Sequence, residues 1–136
     1  MVEGQEHIIE LEKNKMYYKI MNIWFSQEQK GKSIVPYMKR KGYNRVAIYG
    51  IAELGERLYY ELVHNEIDVV CVIDRSRFVL GEFRLIGPED QIPDVDVVIV
   101  TAEYYFGDIY RNLKNKTKAP IITLSGLIGN AFKLNW

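Results

Sequence analysis

The chain has 136 residues, enough for one domain with a real core and too few for two of ordinary size. Eighteen Lys+Arg balance eighteen Asp+Glu, which leaves no net field to draw the protein to nucleic acid or to an anionic membrane surface. An apolar content of 48% excludes a disordered chain, and no apolar run reaches membrane-spanning length.

From about Ile8 to Gln29 apolar residues recur at helical spacing: Ile9, Met16, Ile20 and Trp24 on one line, with Tyr17, Met21 and Phe25 beside it. Gly31 closes this helix. Ser33 is placed to cap a second, short helix through Lys41, with Pro36 in its first turn and Gly42 at its end. Lys39-Arg40-Lys41 fall in the last turn, where cations complement the helix dipole. The composition changes near Gly42, which divides the chain into a helical arm, 1–42, and an α/β body, 43–136.

In the body, strand alternates with helix. Val46-Ala47-Ile48-Tyr49 is a β-prone run ending on Gly50, and Leu54, Leu58 and Leu62 then share a helical face that Asn65 can end in a left-handed turn. Val69–Ile73 is apolar without alternation, as a strand buried on both faces requires. A short strand is expected at Phe83-Arg84-Leu85-Ile86, and a turn opening one helical turn at Gly87-Pro88-Glu89-Asp90. Val95–Thr101 is the next strand, with Phe106, Ile109, Tyr110 and Leu113 as the buried stripe of the helix after it. Pro120–Leu124 is the last strand, and Ser125 is placed to cap a final helix. Such strands joined by helices form a parallel sheet covered on both faces, and right-handed crossovers favour the order 3-2-1-4-5, a Rossmann-like α/β fold carrying an N-terminal helical arm.

In that fold ligands bind where the first strand turns into its helix. Gly50-Ile51-Ala52-Glu53-Leu54-Gly55 occupies that place. Gly50 permits the tight turn, Gly55 lets helix and strand pack closely, and the helix start offers N–H groups and partial positive charge to a phosphate. The pattern departs at Ala52, where a pyrophosphate clamp has glycine, and Glu53 adds a carboxylate that opposes a bound anion. The same two glycines also serve plain helix–strand packing, so both readings stand. Asp74 ends the second strand at the position of an acid that holds a ribose, followed by Arg75 and Arg77, which suit a 2′-phosphate or a diphosphate; a turn cap with solvated arginines is the alternative. Thr101-Ala102-Glu103-Tyr104-Tyr105 leaves the fourth strand at the same edge. There Thr101 and Glu103 are placed for polar groups and Tyr104 for stacking, or the aromatics simply pack under a loop.

Other matches carry less. Tyr110 and Lys114 spell the Tyr-x-x-x-Lys pair of short-chain dehydrogenases, but the spacing from the glycine loop is too short and Tyr110 is expected to face the sheet. His7 and His64 lack partners at metal-ligand spacing, so no metal is expected. Cys71, the single cysteine, sits in an apolar run that suits a buried small hydrophobe rather than a reactive thiol, and it forms no internal disulfide, which suits a reducing compartment. The acidic amino terminus has no signal-like apolar stretch behind it, so a cytoplasmic protein is expected.

Arg45-Val-Ala-Ile-Tyr-Gly-Ile-Ala-Glu-Leu-Gly-Glu-Arg-Leu, Val70-Cys-Val-Ile-Asp74, Ile86-Gly-Pro-Glu-Asp90 and Asp94-Val-Asp-Val-Val-Ile-Val-Thr101 together resemble a CoA-binding-like Rossmann domain. Such domains form the amino-terminal part of CapD-like polysaccharide nucleotide-sugar dehydratases and the carboxyl-terminal part of some sugar C-methyltransferases. The resemblance spans about Gly42 to Gly126, matches the family loop at Gly50, Glu53 and Gly55, and departs from it at Ala52. It implies NAD or a nucleotide-sugar as ligand, with a glycosyltransferase or another polysaccharide-biosynthesis protein as partner.

The expected function is therefore a non-catalytic nucleotide, dinucleotide or nucleotide-sugar binding module. Its contact residues would be Gly50, Ile51, Ala52, Glu53, Leu54, Gly55, Asp74, Arg75, Thr101 and Ala102. Two alternatives stay open: a small NAD-dependent or sugar-modifying enzyme completed across a dimer, and a degenerate Rossmann domain used for protein contacts. Tyr17, Met21, Trp24 and Phe25 give the arm more apolar surface than one helix face needs, so some are expected to pack on a second subunit or on the α/β body, and a homodimer built partly by the arm is expected.

Overall fold

Strands that are apolar on both faces need cover on both sides, and the α/β body supplies it with helices flanking one sheet. The computed structural model describes residues 3–76 and 82–136; Arg77 lies outside the described residues. By its contacts the chain divides into two units, Met1–Ser33 and Ile34–Trp136. The first unit holds α1 (Glu3–Gln29), which starts a turn earlier than the apolar periodicity suggests. The second opens with α2 (Val35–Arg40), so this short helix groups with the α/β body and the composition shift at Gly42 falls inside that unit.

The body then runs β1 (Arg45–Tyr49), α3 (Glu53–His64), β2 (Asp68–Ile73), β3 (Leu85–Ile86), β4 (Val97–Val100), a 3-10 turn (Glu103–Tyr105), α4 (Phe106–Leu113), β5 (Ile121–Thr123) and α5 (Leu124–Phe132). The sheet has the order β3-β2-β1-β4-β5 and every pairing is parallel, which is the Rossmann-like arrangement expected from the strand pattern. Tyr49 ends β1 opposite Ile73 of β2 and Val100 of β4, so the three central strands finish level and their following residues share one edge. The pairing of β1 with β2 slips by one residue between Val46 and Ala47.

Side chains alternate across a strand. Ala47, Tyr49, Cys71, Ile73, Val98 and Val100 therefore share one face, buried with Ile109 and Leu113 of α4. Val46, Ile48, Val97 and Ile99 point the other way and are also fully buried. Leu54, Leu58 and Leu62 are the buried stripe of α3. Burying each such aliphatic side chain stabilises the fold by about 1.5–3 kcal/mol. Between β3 and β4 no helix forms among the described residues; Ile92 and Val95 of that segment, with Ile86 of β3, pack on the α4 face instead.

Four local expectations change. Ile34, not Ser33, occupies the cap position of α2, and Pro36 stands in its first turn. Asn65 caps α3 at φ −114, while the left-handed turn falls one residue later at Glu66, φ 63. Thr123, not Ser125, caps α5, its hydroxyl accepting the Gly126 N–H at 3.0 Å. Tyr110 is 43% exposed rather than buried. Ile109 and Leu113 fill the stripe facing the sheet, and Tyr110, about 100° round the helix from Ile109, lies beside Phe106 one turn earlier, ring centroids 5.8 Å apart.

Cys71 is fully buried at the middle of β2. Burial pushes its thiol up to about 11, with Arg84 offsetting part of the rise, so the nucleophilic thiolate is absent at neutral pH. Native protein at pH 8 is expected to resist iodoacetamide, and urea-unfolded protein to take one equivalent; mass spectrometry reads both.

Candidate functional site

The turn from β1 into α3 is built on two glycines. Gly50 sits at φ +99, where a β-carbon would meet Thr101 Oγ1 at 2.7 Å. Gly55 is the tighter constraint: its β-carbon would stand 1.9 Å from the Gly50 carbonyl oxygen. Only glycine lets α3 begin this close to the strand end. Thr101, 4% exposed, directs its hydroxyl at the carbonyls of Gly50 (2.8 Å) and Tyr49 (3.1 Å), while its N–H donates to Tyr49 O at 2.9 Å. The hydroxyl thus holds β4 to the glycine turn from beneath.

Asp74 holds the turn from the other side. Its Oδ2 accepts the Ile51 N–H at 2.9 Å and its Oδ1 accepts the Ser76 N–H at 2.8 Å. The Asp74 N–H in turn donates to Ile86 O at 3.1 Å, and the Gly50 N–H to Ile73 O at 2.8 Å. One carboxylate therefore ties the ends of β1 and β2 together. Among the described residues each oxygen accepts one N–H, and a carboxylate offers about four acceptor sites.

A crevice of about 560 Å³ opens at this edge, lined by Tyr49, Gly50, Asp74, Arg75, Ala102, Tyr105, Asp108 and Ile109. A second hollow of about 560 Å³ shares Asp74 and Arg75 with it and continues past Ser76 and the Gly87–Asp90 turn to Asn112 and Lys116. That turn is closed by the Asp90 N–H donating to Gly87 O at 3.1 Å and the Gly87 N–H donating to Asp90 Oδ2 at 2.7 Å. Lys116 Nζ donates to Pro88 O and pins the turn to the end of α4.

No family model matches the chain, and no curated protein or solved structure does.

Of the residues chosen from sequence, Gly50, Asp74, Arg75 and Ala102 line the crevice. Ile51, Leu54, Gly55 and Thr101 are buried beneath it, and Ala52 and Glu53 are exposed at the start of α3. Ala52 is the cap residue, extended at φ −71 and ψ −161, and no side chain caps that helix start. Glu103 faces α5 instead: its carboxylate accepts both the N–H and the hydroxyl of Ser125, and burial raises its proton affinity against those bonds. Tyr105, not Tyr104, lines the crevice.

Tyr49, Asp108 and Ile109 were missed. The signal was available: Tyr49 alternates with Ile48, and Tyr105, Asp108 and Ile109 share one helical face. Burial raises the Tyr49 phenol, with Arg75 partly opposing through charge and a hydrogen bond, and Asp74 and Glu89 adding to the rise. Tyr49 is therefore a neutral hydroxyl at neutral pH. Tyr110 and Lys114 are absent from the lining of both hollows. Among the described residues no group of three or more His, Cys, Asp or Glu is placed to hold a metal, and no helix is long and apolar enough to cross a membrane.

The turn is expected to be the least tolerant part of the site. Gly55→Ala should cost about 3 kcal/mol or prevent folding, because the clash is with backbone. Asp74→Ala should cost about 1–3 kcal/mol by orphaning two N–H groups, and Asp74→Asn less, since one acceptor remains. Urea unfolding of the three variants measures both.

Proposed function

We propose that the protein is a non-catalytic binding module for a nucleotide, a dinucleotide or a nucleotide-sugar, seated across the crevice at the carboxyl ends of β1 and β4. The observation that carries this reading is the position of Asp74. It lines both hollows while holding the Ile51 N–H of the glycine turn, so one carboxylate stands between the α3 start and the rest of the crevice. Its remaining acceptor sites suit a ribose diol, and the uncapped start of α3 suits a phosphate. Arg75 adds a cation beside both. In open α/β sheets ligands bind where strand order reverses, which here is between β1 and β4.

The resemblance to CoA-binding-like domains extends the proposal to a cytoplasmic role alongside a glycosyltransferase or another polysaccharide-biosynthesis protein. NAD and nucleotide-sugars are the ligands to test first. Thermal unfolding with NAD, NADP, CoA, S-adenosylmethionine and several nucleotide-sugars tests the reading: a ligand at ~100 times its dissociation constant adds about 2.7 kcal/mol. Silence across the panel leaves a scaffold for protein contacts, and turnover of any compound makes the chain an enzyme.

Ala52→Gly is expected to tighten binding of any diphosphate ligand by removing the methyl from the helix start. Its effect on apo stability should stay within about 1 kcal/mol, because the position is a helix cap, where glycine is at least as well tolerated as alanine. Titration calorimetry and apo melting separate the two effects. Weaker binding would show that the methyl is itself a ligand contact.

A further inference from the structure

The long helix α1 carries apolar residues on two opposite faces. Ile9, Ile20 and Trp24 follow one line, as the sequence suggests. A second line, which that reading passed over, runs through Ile8, Leu11, Lys15, Tyr18, Asn22 and Phe25. Its spacing is 3, 4, 3, 4, 3, the a/d repeat of a two-helix seam. Its large side chains are exposed: Ile8 and Leu11 at 56%, Tyr18 at 72% and Phe25 at 44%. From Ile8 to Phe25 the seam is about 25 Å long at ~1.5 Å per residue. Trp24, on the opposite line, is fully buried.

We propose that two copies of this chain pair through this face of α1, with the two helices antiparallel. Charge complementarity argues for both the partner and the direction. Glu12 and Lys19 flank the seam on one side, at the positions where seam-edge charges set partner choice and orientation. In an antiparallel pair Ile8 meets the partner's Phe25, Lys15 meets the partner's Tyr18, and Leu11 meets the partner's Asn22. Glu12 then faces the partner's Lys19, and symmetry makes that contact twice. The aliphatic stem of Lys15 packs along the tyrosine ring with its ammonium reaching solvent. A parallel pair instead opposes Lys15 to the partner's Lys15 and puts His7 and Asn14 opposite Glu12 and Lys19, losing both opposite-charge contacts. The pairing is independent of what the crevice binds.

Light scattering on the full chain tests it. Wild type is expected to be a dimer, and Tyr18→Asp and Leu11→Gln monomers with unchanged circular dichroism, since both side chains are exposed on the single chain. Lys19→Glu should weaken the dimer by about tenfold, because it turns two attractions into repulsions. Adding Glu12→Lys to it should restore the affinity to within about threefold of wild type. A wild-type monomer at millimolar concentration overturns the proposal, as does a dimer indifferent to both Tyr18→Asp and Leu11→Gln. Failure of the charge swap to restore the dimer overturns the antiparallel arrangement.

Discussion

The carbonyl oxygen of Gly50 occupies the space where residue 55 would carry a β-carbon, and the hydroxyl of Thr101 donates to that same oxygen. The N–H of that same peptide unit, carried by Ile51, donates to Asp74. Three chain segments, leaving β1, β2 and β4, are thereby fixed around one turn. The direction in which α3 leaves the sheet, the depth of the crevice and the position of Asp74, the acid it shares with the second hollow, all follow from that packing. Loosening the turn would move the walls of the crevice, because Tyr49, Asp74 and Ala102 are each attached to one of the three strand ends.

The body of the fold was legible because its signals are local. Unalternating apolar strands, a glycine pair five residues apart and an acid at the end of β2 each depend on a few neighbouring residues. Those signals led to the strand order and to four residues that line the crevice. What escaped was long-range. Glu103 looks like a site residue by its place after β4, yet its partner is Ser125, 22 residues on, and the sequence carries no mark of that pairing. Thr101 was read as a ligand contact, and its hydroxyl is turned inward to carbonyls 51 and 52 residues earlier.

Helix phase was the other source of error. Phe106, Ile109, Tyr110 and Leu113 are all apolar and fit one broad stripe by spacing, so the pattern alone does not choose which is outermost. The residues of α4 buried against the sheet are Ile109 and Leu113, with Phe106 packed beside them. Tyr110, with a polar end that gains from solvent, takes the rim. In α1 the reverse holds: attention to its Trp24 line hid the second repeat, because Lys15 and Asn22 interrupt it with polar residues. Polar residues within such a seam are how helices specify register and direction.

The segment between β3 and β4 covers the α4 face with Ile92 and Val95 in place of a helix. Its first turn also forms one wall of the second hollow. A helix there would have coupled any change in wall length to the packing of the sheet. A loop decouples them, since lengthening it costs only slowly growing closure entropy. The dimensions of that hollow are therefore free to diverge, by editing a few surface residues, while the glycine turn stays constant.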